Sequence, residues 1–502
     1  MTIPSQRPAL RQLDCRDSWC GILAQASDRR DVVYRNSNML PTTTLEPNVA
    51  PPAREEPEIR AGDLAAPPPP RLSGAPLLGN LPEFLRDPYG MFIRGYRDLG
   101  PVFSTRFVGR RLVVLAGPES LRFLSKQGRE LLNSKPVWHE FVSLFGGERS
   151  LVSADGEFHA ELRKRLRPSM SRSTLEKRVP EVRDAVDRCL ERWDGQTVDV
   201  ERFTRDLVFR ELAVLMDMGG VDPDEYYEDL LRVMHTSVEV TVARRWPRVL
   251  LWDPRFRGAK QRITKMGIDL FRAVGEGNPE DGLFPILRRC VQDGLLGERD
   301  VPLLAITPYF AGIDTVAATL SFVLSAVYRR PELQAELLEE VEAANAASSS
   351  GRDWLARLKL AEAVKLEAAR RYPITLTIVR NARVPFVYAE HQIHAGDQLL
   401  ISVGANGLME EYFDEPEKFA PSRFIGPDQV KPEPGALNPY GMGPHTCLGA
   451  AMADVQVIAT LALLLERADI ELVDPERPLE MKYSPYPLPK GDKLRIRARR
   501  ER

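Results

Sequence analysis

The sequence predicts a mainly α protein with a smaller β-rich lobe, and three observations predict it. A run from about Pro302 to Tyr328 is apolar almost all round, the pattern of a buried central helix. Residues 175–300 repeat an amphipathic helical pattern, in LEKRVPEVRDAVDRCLERW, RFTRDLVFRELAVLMDM and DEYYEDLLRVMHTSVEVTVARRW. Short alternating segments supply strands: VFSTRFV, RLVVLAG, PFVYA, HQIHAGDQLLISV and the C-terminal IELVDPERPLEMKYSPYPLPKGDKLRIRARR.

The totals exclude several function classes. Lys and Arg number 69 against 71 Asp and Glu, a net charge of -2, so no nucleic-acid footprint is indicated. The cysteines Cys15, Cys20, Cys189, Cys290 and Cys447 have neither zinc-ribbon nor disulfide-framework spacing, which fits a reducing compartment. The N-terminus has no apolar signal core, and no run near it is long enough to span a membrane. A cytoplasmic chain without a transmembrane anchor is therefore expected.

Residues 1–70 are rich in Arg, Asp, Pro, Ser and Thr and are expected to be a disordered extension, ending in the stiff run Ala65–Pro70. Order is expected from residue 71. The segments VFSTRFV and RLVVLAG form a hairpin around Gly109-Arg110-Arg111, and Gly117-Pro118 opens a helix. Residues 131–152 have little periodicity and read as a long functional loop. His159 and Arg163 stand four apart on one helical face, which by itself also suits a solvated basic helix.

Gly219-Gly220 and Pro223 separate two of the amphipathic helices, and His235 reads as a helix residue with no catalytic role. Asp314 near the middle of the long apolar helix would cost about 3 kcal/mol in lipid, and Pro308 also argues against a membrane span. Glu367 and Arg370 are three apart, a spacing that ordinary surface pairs share. His391 and His394 near a strand edge read as turn residues rather than a metal pair.

The most informative stretch is Asn438–Ala451, NPYGMGPHTCLGAA, followed at once by the apolar helical run MADVQVIATLALLLER. A helix N-terminus lowers a thiol pKa, and the thiolate is the metal-binding form of cysteine. Glycines on both sides would let backbone approach something flat, as a cysteine ligating haem iron requires. Alone, Cys447 could equally be a small buried hydrophobe.

Tyr440-Gly-Met-Gly443-Pro-His445-Thr-Cys447-Leu-Gly449 resembles the haem-binding loop of the cytochrome P-450 superfamily, Phe-x-x-Gly-x-(Arg or His)-x-Cys-x-Gly. It departs at Tyr440, a change tolerated if the phenol finds a hydrogen-bond partner. The resemblance covers roughly residues 72–502, with further motifs in the family's order, and implies a single haem-thiolate domain over 71–502. It implies haem b as cofactor and Cys447 as axial ligand of its iron. His159, Arg163 and Arg380 would hold the propionates, with Tyr440, Gly443, His445, Gly449 and Gly312 also at the cofactor.

Ala311-Gly312-Ile313-Asp314-Thr315 resembles the oxygen-activation motif, so Asp314 and Thr315 would deliver protons at a widened or kinked helix. Glu367, Arg370 and Arg423 would form the family's buried charge network behind the haem. Substrate contacts would come from Phe141, Leu144, Phe145, Ala311, Ile374, Leu376, Val379 and, in the turn Tyr483–Leu488, Pro485. The implied activity is insertion of one atom of O2 into a hydrophobic small molecule. Electrons would come from a separate ferredoxin with its NAD(P)H-dependent reductase, and the chain would act as a monomer. A haem-thiolate isomerase, dehydratase or peroxygenase is the alternative, and a non-catalytic haem protein a further one.

Overall fold

The computed structural model describes residues 57–62, 65–216, 223–273, 282–348, 351–427, 429–483 and 486–499. They belong to one compact unit, Pro51–Arg502. Seven helices carry the argument: α1 (Lys135–Leu144), α2 (Gly156–Leu166), α3 (Val200–Leu215), α4 (Pro223–Ser237), α5 (Val301–Val327), α6 (Lys359–Arg371) and α7 (Ala450–Arg467).

Helix α5 is the axis of the body. It enters at Asp300 with Pro302 in its first turn, where a missing N–H costs nothing. Nearly all its side chains are buried, against α3, α7 and the helix Pro254–Arg272. It is long and apolar enough to cross a membrane by length and composition, yet most of it is buried inside the protein, so it is a core helix. Pro308 lies in its interior and leaves the Leu304 carbonyl without its helical donor. The helix nonetheless runs as unbroken α-helix through Ala311–Thr315, without the π-helical turn that a widening would bring, and Thr315 Oγ1 donates to the Ala311 carbonyl at 2.6 Å.

The β lobe is a five-stranded sheet in the order 102–107, 110–115, 398–402, 377–382, 132–133. The hairpin Val102–Phe107/Arg110–Leu115 turns at Val108 and Gly109, both at positive φ. Its inward residues pack with Leu399 and Ile401 in a second core.

Two expectations change. Residues 131–152 are not one long loop, because α1 occupies their centre with Pro136 at its start. Ordered chain also begins before residue 71. Ile59–Ala61 pairs antiparallel with Phe386–Tyr388, and the Pro67 and Pro70 carbonyls accept from the Gln392 and Ser104 amides. The rest of the 1–70 expectation, including Cys15 and Cys20, falls on residues 1–56, 63 and 64, outside those described.

One buried group couples α3 to α7. Glu211 is fully buried and accepts from Thr460 Oγ1 (2.5 Å) and Gln456 Nε2 (3.2 Å). Burial pushes its pKa up to about 8 from 4.5. The folded form therefore holds a proton that the unfolded chain releases, and stability falls as pH rises from about 4.5 towards 8. Glu211→Gln is expected to remove this dependence and to gain roughly 3 kcal/mol over the wild type at pH 7. The Gln456 Oε1 atom, unpartnered in the native chain, can accept from the new amide after a flip. Denaturation at pH 5 and pH 8 checks it.

Candidate functional site

A cavity of about 630 Å³ lies between α5 and the Cys447 loop. Ala311, Gly312 and Thr315 of α5 line it, as do Tyr440, His445, Cys447 and Gly449 of the loop. The loop is pinned by its own backbone, with Gly441 N–H to Asn438 O, Thr446 N–H to Gly443 O and Cys447 N–H to Tyr440 O. Cys447 thus sits just before the first turn of α7 with its thiol open to the cavity. Burial raises its pKa, and the Gly449 N–H and the Arg163 guanidinium offset that only in part.

The tyrosine in place of phenylalanine is accommodated. Tyr440 Oη donates to Asp454 Oδ1 at 2.5 Å, and Lys365, itself paired with Asp454, lies 5.2 Å from the ring centroid. Lys365 and Asp454 were not singled out in the sequence, since nothing in their local pattern separates them from surface charges.

Four basic side chains gather along the cavity. His159 and Arg163 come from α2, Arg380 from strand 377–382, and His445 from the loop. The His159 and His445 rings stack with centroids 4.0 Å apart. His159 is buried, its Nε2 has no partner, and burial together with His445 and Arg163 lowers its pKa to about 4. His445 Nε2 pairs with Asp155 Oδ1 at 3.1 Å. Burial lowers the Arg380 pKa to about 10, although Asp155 acts against it. Buried donors without partners are costly unless an anion completes them. The orphaned His159 nitrogen and the cation-rich wall fit two haem carboxylates, and the open thiol fits an iron, so these residues suit the group.

The glycines also answer to the protein's own packing. A Cβ at Gly443 (φ +82°) would meet Ser125 Cα at 2.8 Å and Leu124 O at 2.9 Å, so the protein's own backbone requires it. A Cβ at Gly312 would meet the Leu212 side chain at 3.1 Å, so this glycine serves the approach of α3. At Gly449 a Cβ would make only ordinary contacts.

Thr315 lines the cavity, but Asp314 is not among the lining residues. Its carboxylate is held by Arg205 of α3 (Nε–Oδ1 3.0 Å), His235 of α4 (2.7 Å) and the Tyr486 hydroxyl (2.5 Å). Burial pushes this carboxyl up, but His235 and Arg205 outweigh it and hold the pKa below the usual value. His235, expected to be an ordinary helix residue, is therefore a partner of the acid.

Behind the cavity, Glu367 and Arg370 are fully buried and paired through two 2.8 Å bonds. Arg370 also donates to the Gly407, Pro416 and Lys418 carbonyls, and Ala420 N–H donates to Glu367. Arg423 Nε approaches Glu367 at 3.4 Å without a hydrogen bond, and its Nη2 donates to Glu415 O.

Of the substrate-contact candidates, Ala311, Ile374 and Val379 line the cavity. Phe141 and Phe145 do not: they are buried against Trp138 and Phe310. Leu144 packs against the helical core and Leu376 against a separate cluster around Tyr89. From the same region Trp138, Leu151 and Val152 face the cavity instead. Pro485 lies outside the described residues. His391 opens the strand His391–Ile393 rather than a turn, with Nδ1 beside the Pro68 carbonyl, while His394 follows the strand and donates its N–H to Asp397 Oδ2.

The family model "Cytochrome P450" matches residues 67–271 and 285–492, and the chain belongs to that family. It is a haem-binding oxidoreductase, a cytochrome P450 monooxygenase. Among curated relatives, abscisic acid 8'-hydroxylase 3 of Oryza sativa subsp. indica is 28% identical over 435 residues, covering 84% of this chain and 85% of that protein. Abscisic acid 8'-hydroxylase CYP707A1 of Solanum lycopersicum is 25% identical over 441 residues, covering 84% and 89%. The same fold occurs in retinoic acid-bound cyanobacterial CYP120A1, at 22% identity and a TM-score of 0.74, covering 87% of this chain and 100% of that one.

Proposed function

We propose that this monooxygenase hydroxylates a hydrophobic small molecule, with electrons from a separate ferredoxin and its NAD(P)H-dependent reductase, as a cytoplasmic monomer. The observation that carries the reading is the shared cavity, which faces the Cys447 thiol on one wall and Thr315 on another. Haem bound there supplies the activation of dioxygen, to which a thiolate ligand contributes electron density. Cys447 would be that ligand, while His159, Arg163, Arg380 and His445 would neutralise and orient the carboxylates.

Leu151, Val152, Val242, Leu283, Leu287 and Leu304 give the rest of the wall an apolar character, which supports a hydrophobic substrate. The hydroxylases among the relatives support the reaction class. Of the basic residues on α2, Arg165 is engaged by Glu161 and Asp293, leaving exposed Lys164 as the residue able to meet an acidic electron donor.

The Thr315 hydroxyl is the proton-handling group that reaches the cavity, and Asp314 stands behind it. Thr315→Ala is expected to keep haem content and to lower product formed per NAD(P)H by about tenfold or more, with peroxide rising to match. Unchanged coupling contradicts this role. Turnover under heavy-isotope dioxygen separates the reaction classes. One labelled atom in the product supports the oxygenase, whereas unlabelled product formed without reductant points to the isomerase or dehydratase alternative.

A further inference from the structure

Helix α5 presents one stripe to the cavity, through Leu304, Thr307, Pro308, Ala311 and Thr315. Their spacing by threes and fours keeps them on a single face of the helix. Pro308 has no N–H to give, and its ring crowds the carbonyl one turn earlier, that of Leu304. A helical carbonyl points along the axis towards the next turn, where its usual donor stands. For Leu304 that turn is Thr307 and Pro308, both in the cavity wall, so the freed oxygen lies on the cavity side. The neighbouring hydroxyl does not replace the missing donor, because Thr307 Oγ1 donates to the Leu303 carbonyl at 2.7 Å. Leu304 is buried, and a buried carbonyl short of a donor costs free energy until something completes it.

The cations of the wall are already committed. His159, Arg163, Arg380 and His445 form the cluster that suits the haem carboxylates, Arg370 is paired with Glu367, and Lys365 is paired with Asp454. Val242, Leu283 and Leu287 add apolar surface. A carboxylate on the substrate would lose its water there without gaining a counter-charge, which is costly. A hydroxyl would meet an acceptor that the fold leaves waiting.

We propose that the cavity selects an uncharged hydrophobic molecule bearing an alcohol, whose O–H donates to the Leu304 carbonyl that Pro308 sets free. Ala311 stands two helical turns further on, about 10 Å along the axis. The molecule is thus held by its hydroxyl end and oxidised at carbon about 10 Å away, beside Ala311 and Thr315. The place of oxidation rests on the monooxygenase reading above, while the hydroxyl contact is a property of binding alone.

The test titrates the full haem-loaded chain with two sets of ligands and follows the haem absorption band. One set is dodecanol, its methyl ether and dodecanoate; the other is farnesol, its methyl ether and farnesoate. Each ether keeps the chain of its alcohol but has no proton to donate. At least one alcohol is expected to bind about fivefold or more tighter than its ether, with the carboxylate weakest. Pro308→Ala restores an N–H that fills the Leu304 carbonyl from within the helix, and the variant should fold at least as stably as the wild type. It is expected to bind the ether as before and to reduce the advantage of the alcohol to about twofold or less. Thr307→Val should keep that advantage, which separates the carbonyl from the threonine hydroxyl. Equal affinity for alcohol and ether overturns the proposal, as does a carboxylate bound as tightly as its alcohol, or no binding by either alcohol. So does an advantage that survives Pro308→Ala, or one that Thr307→Val abolishes. Equilibrium binding needs no reductant, so these outcomes leave the monooxygenase reading untouched. Product without a labelled atom from dioxygen would count against that reading and leave the hydroxyl contact standing.

Discussion

Cys447→Ala is expected to leave a folded protein with no thiolate-ligated haem and monooxygenase activity at background. The thiol faces the cavity rather than the core, and the loop is fixed by backbone bonds from Gly441, Thr446 and Cys447. None of these needs the sulfur, so the helical content should persist and stability should change by about 1 kcal/mol or less. Circular dichroism and denaturation check the fold, and the absorption spectrum of haem-reconstituted protein checks the ligand. Haem held by the cationic wall alone should show a spectrum without thiolate character. An unchanged thiolate spectrum in the variant would show that another sulfur is the ligand, which is hard to reconcile with Cys189 and Cys290, both buried and outside the cavity lining.

Arg370→Met is expected to have the largest effect on stability, a loss of about 3–5 kcal/mol. Methionine of similar length leaves the Glu367 carboxylate buried with only the Ala420 amide as a hydrogen-bond donor and Arg423 at 3.4 Å. It also strips a donor from the Gly407, Pro416 and Lys418 carbonyls, so the two chain segments around Gly407 and 416–418 lose their common anchor. Soluble holoprotein yield and urea denaturation measure it. Combining Arg370→Met with Glu367→Gln should cost less than the sum of the two single changes, because the second removes the stranded charge. A loss under about 1 kcal/mol for Arg370→Met would show that the network is dispensable.

What was legible in the sequence depended on how locally it was written. The sequence predicts the central helix over 302–328 and it runs Val301–Val327, because an all-apolar run ended by Arg329-Arg330-Pro331 leaves little else to form. The hairpin was legible through Gly109, which sits at φ +83° as its turn requires. The Cys447 loop and the Glu367–Arg370 pair were legible only through their resemblance to a family's motifs, since type and spacing alone also suit a buried thiol and an ordinary surface pair; Cys447 lines the cavity and the pair is fully buried.

What failed depended on partners distant in the chain. Phe141 and Phe145 looked suited to a cavity, but Phe310 meets them first. Gly312 lines the cavity, yet its closeness to Leu212, like that of Gly443 to Ser125, gave no local sign in the sequence. Strand Ile59–Ala61 is fixed by Phe386–Tyr388, with nearly the whole sheet between them in sequence. His235 gives no local sign of the contact with Asp314 that α4 brings about.

Whether haem is held with the Cys447 thiolate as its axial ligand is read from the carbon monoxide difference spectrum of the dithionite-reduced protein. The expected result is the strongly red-shifted Soret band of thiolate ligation. A band of the imidazole type, from protein shown to be folded and supplied with haem, would contradict it.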